Sequence, residues 1–260
     1  MCFDTDSRPP IKPIAGGALD SAELTLTADD GNRFSAFRAR AAESTGAGII
    51  ILPDVRGLHP YYEDLALRFA ENGIDAVAID YFGRTAGLGR RDSGFEYMPH
   101  VNQTTWAGIS ADIRAAAAYL RSEAGGGETS LFTVGFCFGG RLSFLAATLG
   151  LDLTGVIGFY GIPVGEGRAG APAPADVAER MASPVLALFG GADQAIPPEA
   201  VATFGAALTA AGVDYRIAVY PEAPHSFFDR KADEFAATSA AAWQEVLAFI
   251  RARTKTGQPA

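Results

Sequence analysis

Cysteine is nearly absent from this chain: two residues in 260, Cys2 and Cys137, so no disulfide framework can organise the fold. Histidine is almost as scarce, and three histidines beside two cysteines are a poor basis for a structural zinc site. Positive charge is in deficit. The 21 Lys and Arg against 30 Asp and Glu leave a formal net charge of −9 and a sequence pI near 4.8. Nucleic-acid binding needs clustered Lys and Arg to displace phosphate counterions, so nucleic acid is not expected as a partner. No run reaches the 18 or so apolar residues of a membrane span, and the start, Met1-Cys2-Phe3-Asp4-Thr5-Asp6, lacks an apolar signal-peptide core. A cytoplasmic protein without membrane contact is the expectation, and a reducing compartment suits a free thiol.

What is present is enough apolar material for a large core: 48% hydrophobic against 20% charged residues. One domain over 1–260 is expected, with 1–20 as an extended arm and 254–260 as a loose tail. Segments 22–28 and 33–40 alternate in character about Asp29-Asp30-Gly31-Asn32, which predicts a β-hairpin. Short continuous apolar runs at 47–52, 74–79, 130–136, 154–159, 184–189 and 214–220 read as strands buried on both faces. Helical periodicity fills the gaps at 60–72, 107–123, 138–149, 198–211 and 232–252, the last turning Phe235, Trp243, Val246, Leu247 and Ile250 inward. Strand and helix in alternation predict an α/β protein, a mostly parallel sheet covered on both faces, with its reactive groups at the C-terminal strand ends. Two irregular stretches, 82–104 and 161–182, are long enough to cap the mouth of such a site. No internal repeat is evident.

The segment Gly135-Phe136-Cys137-Phe138-Gly139-Gly140 follows an apolar run and opens a helical pattern, the strand-turn-helix setting of a nucleophile elbow. The turn is tight enough to strain the nucleophile's backbone, and glycines at 135 and 139 remove collisions with it. It also sets Cys137 at a helix N-terminus, where unpaired N–H groups and the helix dipole favour a thiolate. A lone cysteine in apolar surroundings is more often inert packing; the strand, glycines and helix together argue otherwise here.

A base has to come from elsewhere, and in sites of this type the order along the chain is nucleophile, acid, histidine. His59 and His100 precede Cys137; His225 follows it, just beyond the apolar run ending at Tyr220. His225 is therefore the candidate general base and Asp193, after Gly190-Gly191-Ala192, the candidate acid that holds its tautomer. Asp176 and Asp214 compete by order, but the first lies in the irregular stretch and the second at a strand's start. An oxyanion hole needs one backbone N–H from Phe138 and another from the loop Pro53-Asp54-Val55-Arg56-Gly57, with Val55 as the expected donor.

These pieces together resemble the dienelactone hydrolase family over about residues 20–250: the Gly-Phe-Cys-Phe-Gly-Gly elbow, Pro53-Asp54-Val55-Arg56-Gly57, Asp80-Tyr81-Phe82-Gly83-Arg84, Gly190-Gly191-Ala192-Asp193 and His225-Ser226-Phe227. The resemblance implies an α/β-hydrolase fold, a Cys137–His225–Asp193 triad and no metal or cofactor. It also implies an acyl-enzyme route through cyclic enol esters or related small esters, carboxymethylenebutenolidase-like chemistry; a monomer or small homo-oligomer is the expected state. The chain departs from the family in two places. Members that cleave dienelactone carry a glutamate where Asp54 stands, one methylene shorter, and the arginines that hold the substrate carboxylate have no residue-by-residue match; Ser226-Phe227-Phe228-Asp229-Arg230 puts an acid near one of them. Thioester hydrolysis, carbon–halogen cleavage and a non-catalytic ligand-binding relative are the rival readings; cysteine at the elbow speaks against the halogen chemistry, which usually uses aspartate.

Overall fold

The computed structural model describes residues 7–229 and 231–255. Eight strands form one sheet: β1 (Ala18–Thr27), β2 (Arg33–Ala41), β3 (Ala47–Leu52), β4 (Ile74–Ile79), β5 (Ser130–Phe136), β6 (Gly155–Phe159), β7 (Val185–Gly190) and β8 (Tyr215–Tyr220). The helices are α1 (Pro60–Ala70), α2 (Gly83–Ala86), α3 (Tyr97–Val101), α4 (Trp106–Arg121), α5 (Phe138–Ala146), α6 (Pro198–Ala210) and α7 (Ala236–Arg253). Among the described residues no helix is long and apolar enough to cross a membrane.

The strand order is β1-β2-β4-β3-β5-β6-β7-β8, with β1/β2 and β2/β4 antiparallel and every other pair parallel. Strands β3 to β7 are buried along their whole length, which is why they read as unbroken apolar runs, whereas the hairpin strand β1 is half exposed and alternates. Both faces are covered. A Cβ added at Gly155 of β6 would press on Phe249 of α7, and one at Gly158 on Phe144 of α5. Residues three apart on a strand point to opposite faces, so α7 and α5 lie on opposite sides of the sheet. Helix α1 shares the α7 side, where Phe69 packs against Trp243 at 4.8 Å between ring centroids.

The order β4-β3-β5 positions the site. From β3 the chain crosses through α1 to β4 on one flank, then returns through α4 to β5 on the other, so its direction of winding reverses between β3 and β5. Parallel register pairs Leu52 with Gly135, so the loops leaving these two strands open side by side at the switch point.

Several boundaries move from the sequence reading. β1 begins at Ala18, inside the expected arm, because Ala18 already pairs with Ala41. α7 starts at Ala236 rather than 232, since 231–235 form turns in which the amides of Lys231 and Phe235 bond to Ser226 and Lys231 carbonyls. The stretch 82–104 holds α2 and α3 and is tied down by a buried ion pair, Arg91 to Asp80 at 2.9 Å, while Asp80 also accepts the Leu58 and Phe82 amides. At the C-terminal end the Lys255 amide bonds to Ser130 Oγ at 2.9 Å, and residues 256–260 of the expected tail lie outside the described residues.

Candidate active site

β5 ends at Phe136 and α5 begins at Phe138, leaving Cys137 alone at the corner with φ 54° and ψ −110°. Few side-chain-bearing residues adopt such a backbone, and it persists because the surroundings enforce it. The Cys137 amide donates to the Phe159 carbonyl at 3.0 Å, stitching the corner to β6. A Cβ at Gly135 would stand 1.9 Å from the Gly139 carbonyl oxygen, and one at Gly139 would stand 2.0 Å from that of Leu52. Gly140, which the sequence reading left without a role, is equally constrained: a Cβ there would stand 2.4 Å from the Phe159 carbonyl oxygen.

Asp193 leaves β7 in a turn closed by its own amide on the Gly190 carbonyl, 3.3 Å. Its Oδ1 accepts the Ala195 amide at 2.8 Å, and its Oδ2 lies 2.6 Å from Nδ1 of His225. The loops after β7 and β8 are zipped together by Gly191 N–H on Tyr220 and Ala192 N–H on Ala223. That explains the double glycine: a Cβ on Gly190 would meet the Ala223 carbonyl at 2.2 Å. The Asp193 carboxylate is shielded, 1% exposed, while the imidazole is 24% exposed. A buried carboxylate on Nδ1 favours the tautomer that leaves Nε2 as a base. Neither competing acid takes this place. Asp214 pairs with Arg253 at 2.7 Å on the surface, and Asp176 lies in the 3₁₀ segment Pro174–Arg180.

Two groups the sequence reading did not single out for the site support His225. Tyr160, at the end of β6 with φ 38°, sets its ring 4.9 Å from the imidazole and donates its hydroxyl to Asp229 Oδ2 at 2.7 Å. Burial, together with the Asp229 charge, holds the Tyr160 phenol well above its ordinary range. Nothing local in the sequence marks that contact, which spans 69 positions.

In the loop after β3, the fully buried Asp54 accepts the Arg56 amide on Oδ1 at 2.9 Å, and its own amide donates to Tyr62 Oη at 2.9 Å. This Asx turn shapes the strand-end loop. Among the described residues no hydrogen bond engages the amides of Val55 and Phe138, the two expected oxyanion donors. Val55, Cys137 and Phe138 line one cavity of about 480 Å³ with Arg141, Ile162, Glu166, Gly167 and Arg168. The stretch 161–182 therefore supplies the mouth's outer wall. The stretch 82–104 meets it through Asn102, whose Oδ1 accepts Arg168 Nη1 at 3.0 Å. Arg230, noted beside the histidine, lies outside the described residues.

The family model described as "Dienelactone hydrolase family" matches residues 34–254. A Salmonella typhimurium protein provisionally named a carboxymethylenebutenolidase is 32% identical over 243 residues, 90% of this chain and 88% of that one. A Bradyrhizobium protein named a probable 2-oxo-3-(5-oxofuran-2-ylidene)propanoate lactonase is 26% identical across 78% of this chain and 82% of its own. Among solved structures, a provisionally named dienelactone hydrolase from Klebsiella pneumoniae superposes with TM-score 0.79 at 30% identity, covering 89% of this chain and 98% of that one.

Proposed function

The chain belongs to the dienelactone hydrolase family and is a carboxylic ester hydrolase, and from that premise we propose that it cleaves small lactones or activated esters with Cys137 as nucleophile, His225 as base and Asp193 as acid. The observation that carries the reading is the 2.6 Å contact between His225 Nδ1 and a buried Asp193 carboxylate, on loops that leave β7 and β8 at the same end of the sheet as the elbow after β5. An acid held there orients the imidazole and stabilises the imidazolium formed when the ring takes a proton.

In the proposed cycle Cys137 Sγ attacks the carbonyl carbon, its proton passing to His225 Nε2. The negative charge that develops on the carbonyl oxygen is met by the amides of Val55 and Phe138. Collapse breaks the carbon–oxygen bond, and the imidazolium returns its proton to the departing oxygen, leaving a thioester on Cys137. Water, deprotonated by His225, then adds to the thioester, releases the acid and restores the thiol. No step calls for a metal or an organic cofactor. We place this activity in the cytoplasm, on small-molecule substrates, in one domain acting as a monomer or small homo-oligomer.

The test is Cys137→Ala against a panel of p-nitrophenyl esters, small lactones and acyl thioesters, with acid-quench mass spectrometry of the wild type. Loss of turnover with an unchanged far-UV spectrum, and an acyl adduct on the peptide containing Cys137, are expected. Retention of most of the rate would remove Cys137 from the reaction.

A further inference from the structure

The outer wall of the cavity has little of its own to hold it in shape. Residues 161–172, Gly-Ile-Pro-Val-Gly-Glu-Gly-Arg-Ala-Gly-Ala-Pro, are rich in glycine and proline, a composition that favours neither strand nor helix. Outside the 3₁₀ turn Arg168–Gly170, the one backbone hydrogen bond this segment makes among the described residues runs from the Ala175 amide to the Pro163 carbonyl, 3.0 Å. Yet Ile162, Glu166, Gly167 and Arg168 all line the cavity that contains Cys137.

What gathers the segment is one side chain from outside it. Arg141 lies on α5 one turn after Cys137, its amide donating to the Cys137 carbonyl at 3.2 Å, and the residue is 4% exposed. Nη1 donates to the carbonyls of Ile162 and Val164 at 3.1 and 3.3 Å, and Nη2 to those of Gly165, Ala171 and Pro172 at 2.7, 3.2 and 2.9 Å. The five acceptors come from both ends of the wall. Its glycines let it close on the arginine: a Cβ at Gly161 would stand 2.4 Å from the Arg141 amide nitrogen, and one at Gly167 2.5 Å from Nε. A planar fork of five N–H donors holds several carbonyls at set angles, which the three donors of a lysine on its flexible stem do not. Burial, offset in part by the Asp176 charge, pushes Arg141 below its usual range, but a guanidinium has range to spare and stays a cation, so its bonds remain charge-assisted. Because α5 starts at the elbow, the guanidinium is fixed relative to the sulfur, and through it so is the wall. Without it the segment would regain the conformational freedom that its own few bonds cannot restrain.

We propose that Arg141 is a positioning residue that fixes the 161–172 wall against the elbow and thereby sets the length of substrate the cavity accepts, with Ile162 as the apolar stop. This rests on the reading of Cys137 as nucleophile. It gives Arg141 a part in specificity without any contact to the reacting atoms.

The test measures kcat/KM for two series, p-nitrophenyl acetate to decanoate and methyl to octyl acetate, which lengthen the acyl and the alcohol side in turn. In at least one series the wild type should favour the short member by roughly tenfold or more, the discrimination a closed apolar pocket can supply. Arg141→Met and Ile162→Ala should bring that ratio near one, and Arg141→Lys should keep part of it. An arginine that merely supports the fold would lower both rates together; an unchanged ratio, or no length preference in the wild type, overturns the proposal. If Arg141→Met does not fold, Gly167→Ala, whose methyl must dislodge the guanidinium or the wall, decides by the same ratio. If no ester turns over, the hydrolase reading fails separately, and hydrogen exchange of the peptide spanning 161–172 decides the pin. Exchange about tenfold faster in Arg141→Met than in the wild type supports it, and equal exchange refutes it.

Discussion

Replacing Glu128 by glutamine should make this protein more stable at pH 8 and no more stable at pH 5. Glu128 precedes β5 at the end of the sheet opposite the candidate active site, 3% exposed, and faces the buried Asp75 of β4. The two carboxyl groups crowd one space: a Cβ on Gly126 would lie 2.6 Å from Asp75 Oδ2 and 2.8 Å from Glu128 Oε1. Asp75 holds the better partners, Arg40 at 2.7 Å and the Ala41 amide at 2.7 Å, whereas Glu128 accepts Ser44 Oγ at 3.0 Å. Burial first, and the neighbouring Asp75 charge after the opposing Ser44 bond, push Glu128 up from 4.5 to about 7. An acid whose folded pKa is raised binds more protons folded than unfolded between those values, so stability falls as pH rises through the window. The contribution is fully present below about 4.5 and gone above about 7. A shift of that size corresponds to ~3 kcal/mol at about 1.4 kcal/mol per unit. Glutamine keeps the shape, keeps an oxygen for Ser44 and offers Asp75 a permanent donor. Urea unfolding of wild type and Glu128→Gln at pH 5, 6, 7 and 8 isolates the contribution of the Glu128–Asp75 site, since titrations elsewhere are shared. The difference should open from near zero to ~2–3 kcal/mol in favour of the variant, or roughly 4–10 °C in Tm. Parallel curves would refute the shared-carboxyl account.

Asp193→Asn should bind substrate nearly normally yet lose kcat by a factor on the order of 10⁴, as amide replacements do in serine triads; Asp214→Asn, on the surface pair with Arg253, should leave kcat unchanged in the same steady-state assay. Asp54→Asn retains an acceptor for the Arg56 amide, so its thiolate absorbance against pH should overlay the wild type, while Asp54→Glu, reaching farther toward the sulfur, should move the curve to higher pH. A marked fall in Asp54→Asn would show that Asp54 already opposes the thiolate. Gly139→Ala, whose methyl would meet the Leu52 carbonyl at 2.0 Å, should lower the denaturant midpoint and abolish activity together; a stable, active variant would contradict the rigid-elbow picture.

The sequence by itself determined what is written in local period and local turn chemistry. Strands β3 to β7 are buried on both faces, so their residues are apolar without alternation and their limits are legible to within a residue. The elbow is legible because its constraint is carried by glycines two positions from Cys137, and the chain order of Cys137, Asp193 and His225 left a short search among three histidines. Only the tertiary structure decided the rest, because each remaining contact joins residues far apart in the chain. Tyr160 meets Asp229 across 69 positions, Arg141 is bound by carbonyls 21 to 31 positions onward, and Arg84 is taken up by Asp30 and Asp112. Asp75 and Glu128 are unremarkable acids in the sequence, and they share one buried space because β3 brings β4 and β5 to its two sides. A charge's meaning depends on what faces it after folding, and no local pattern encodes that.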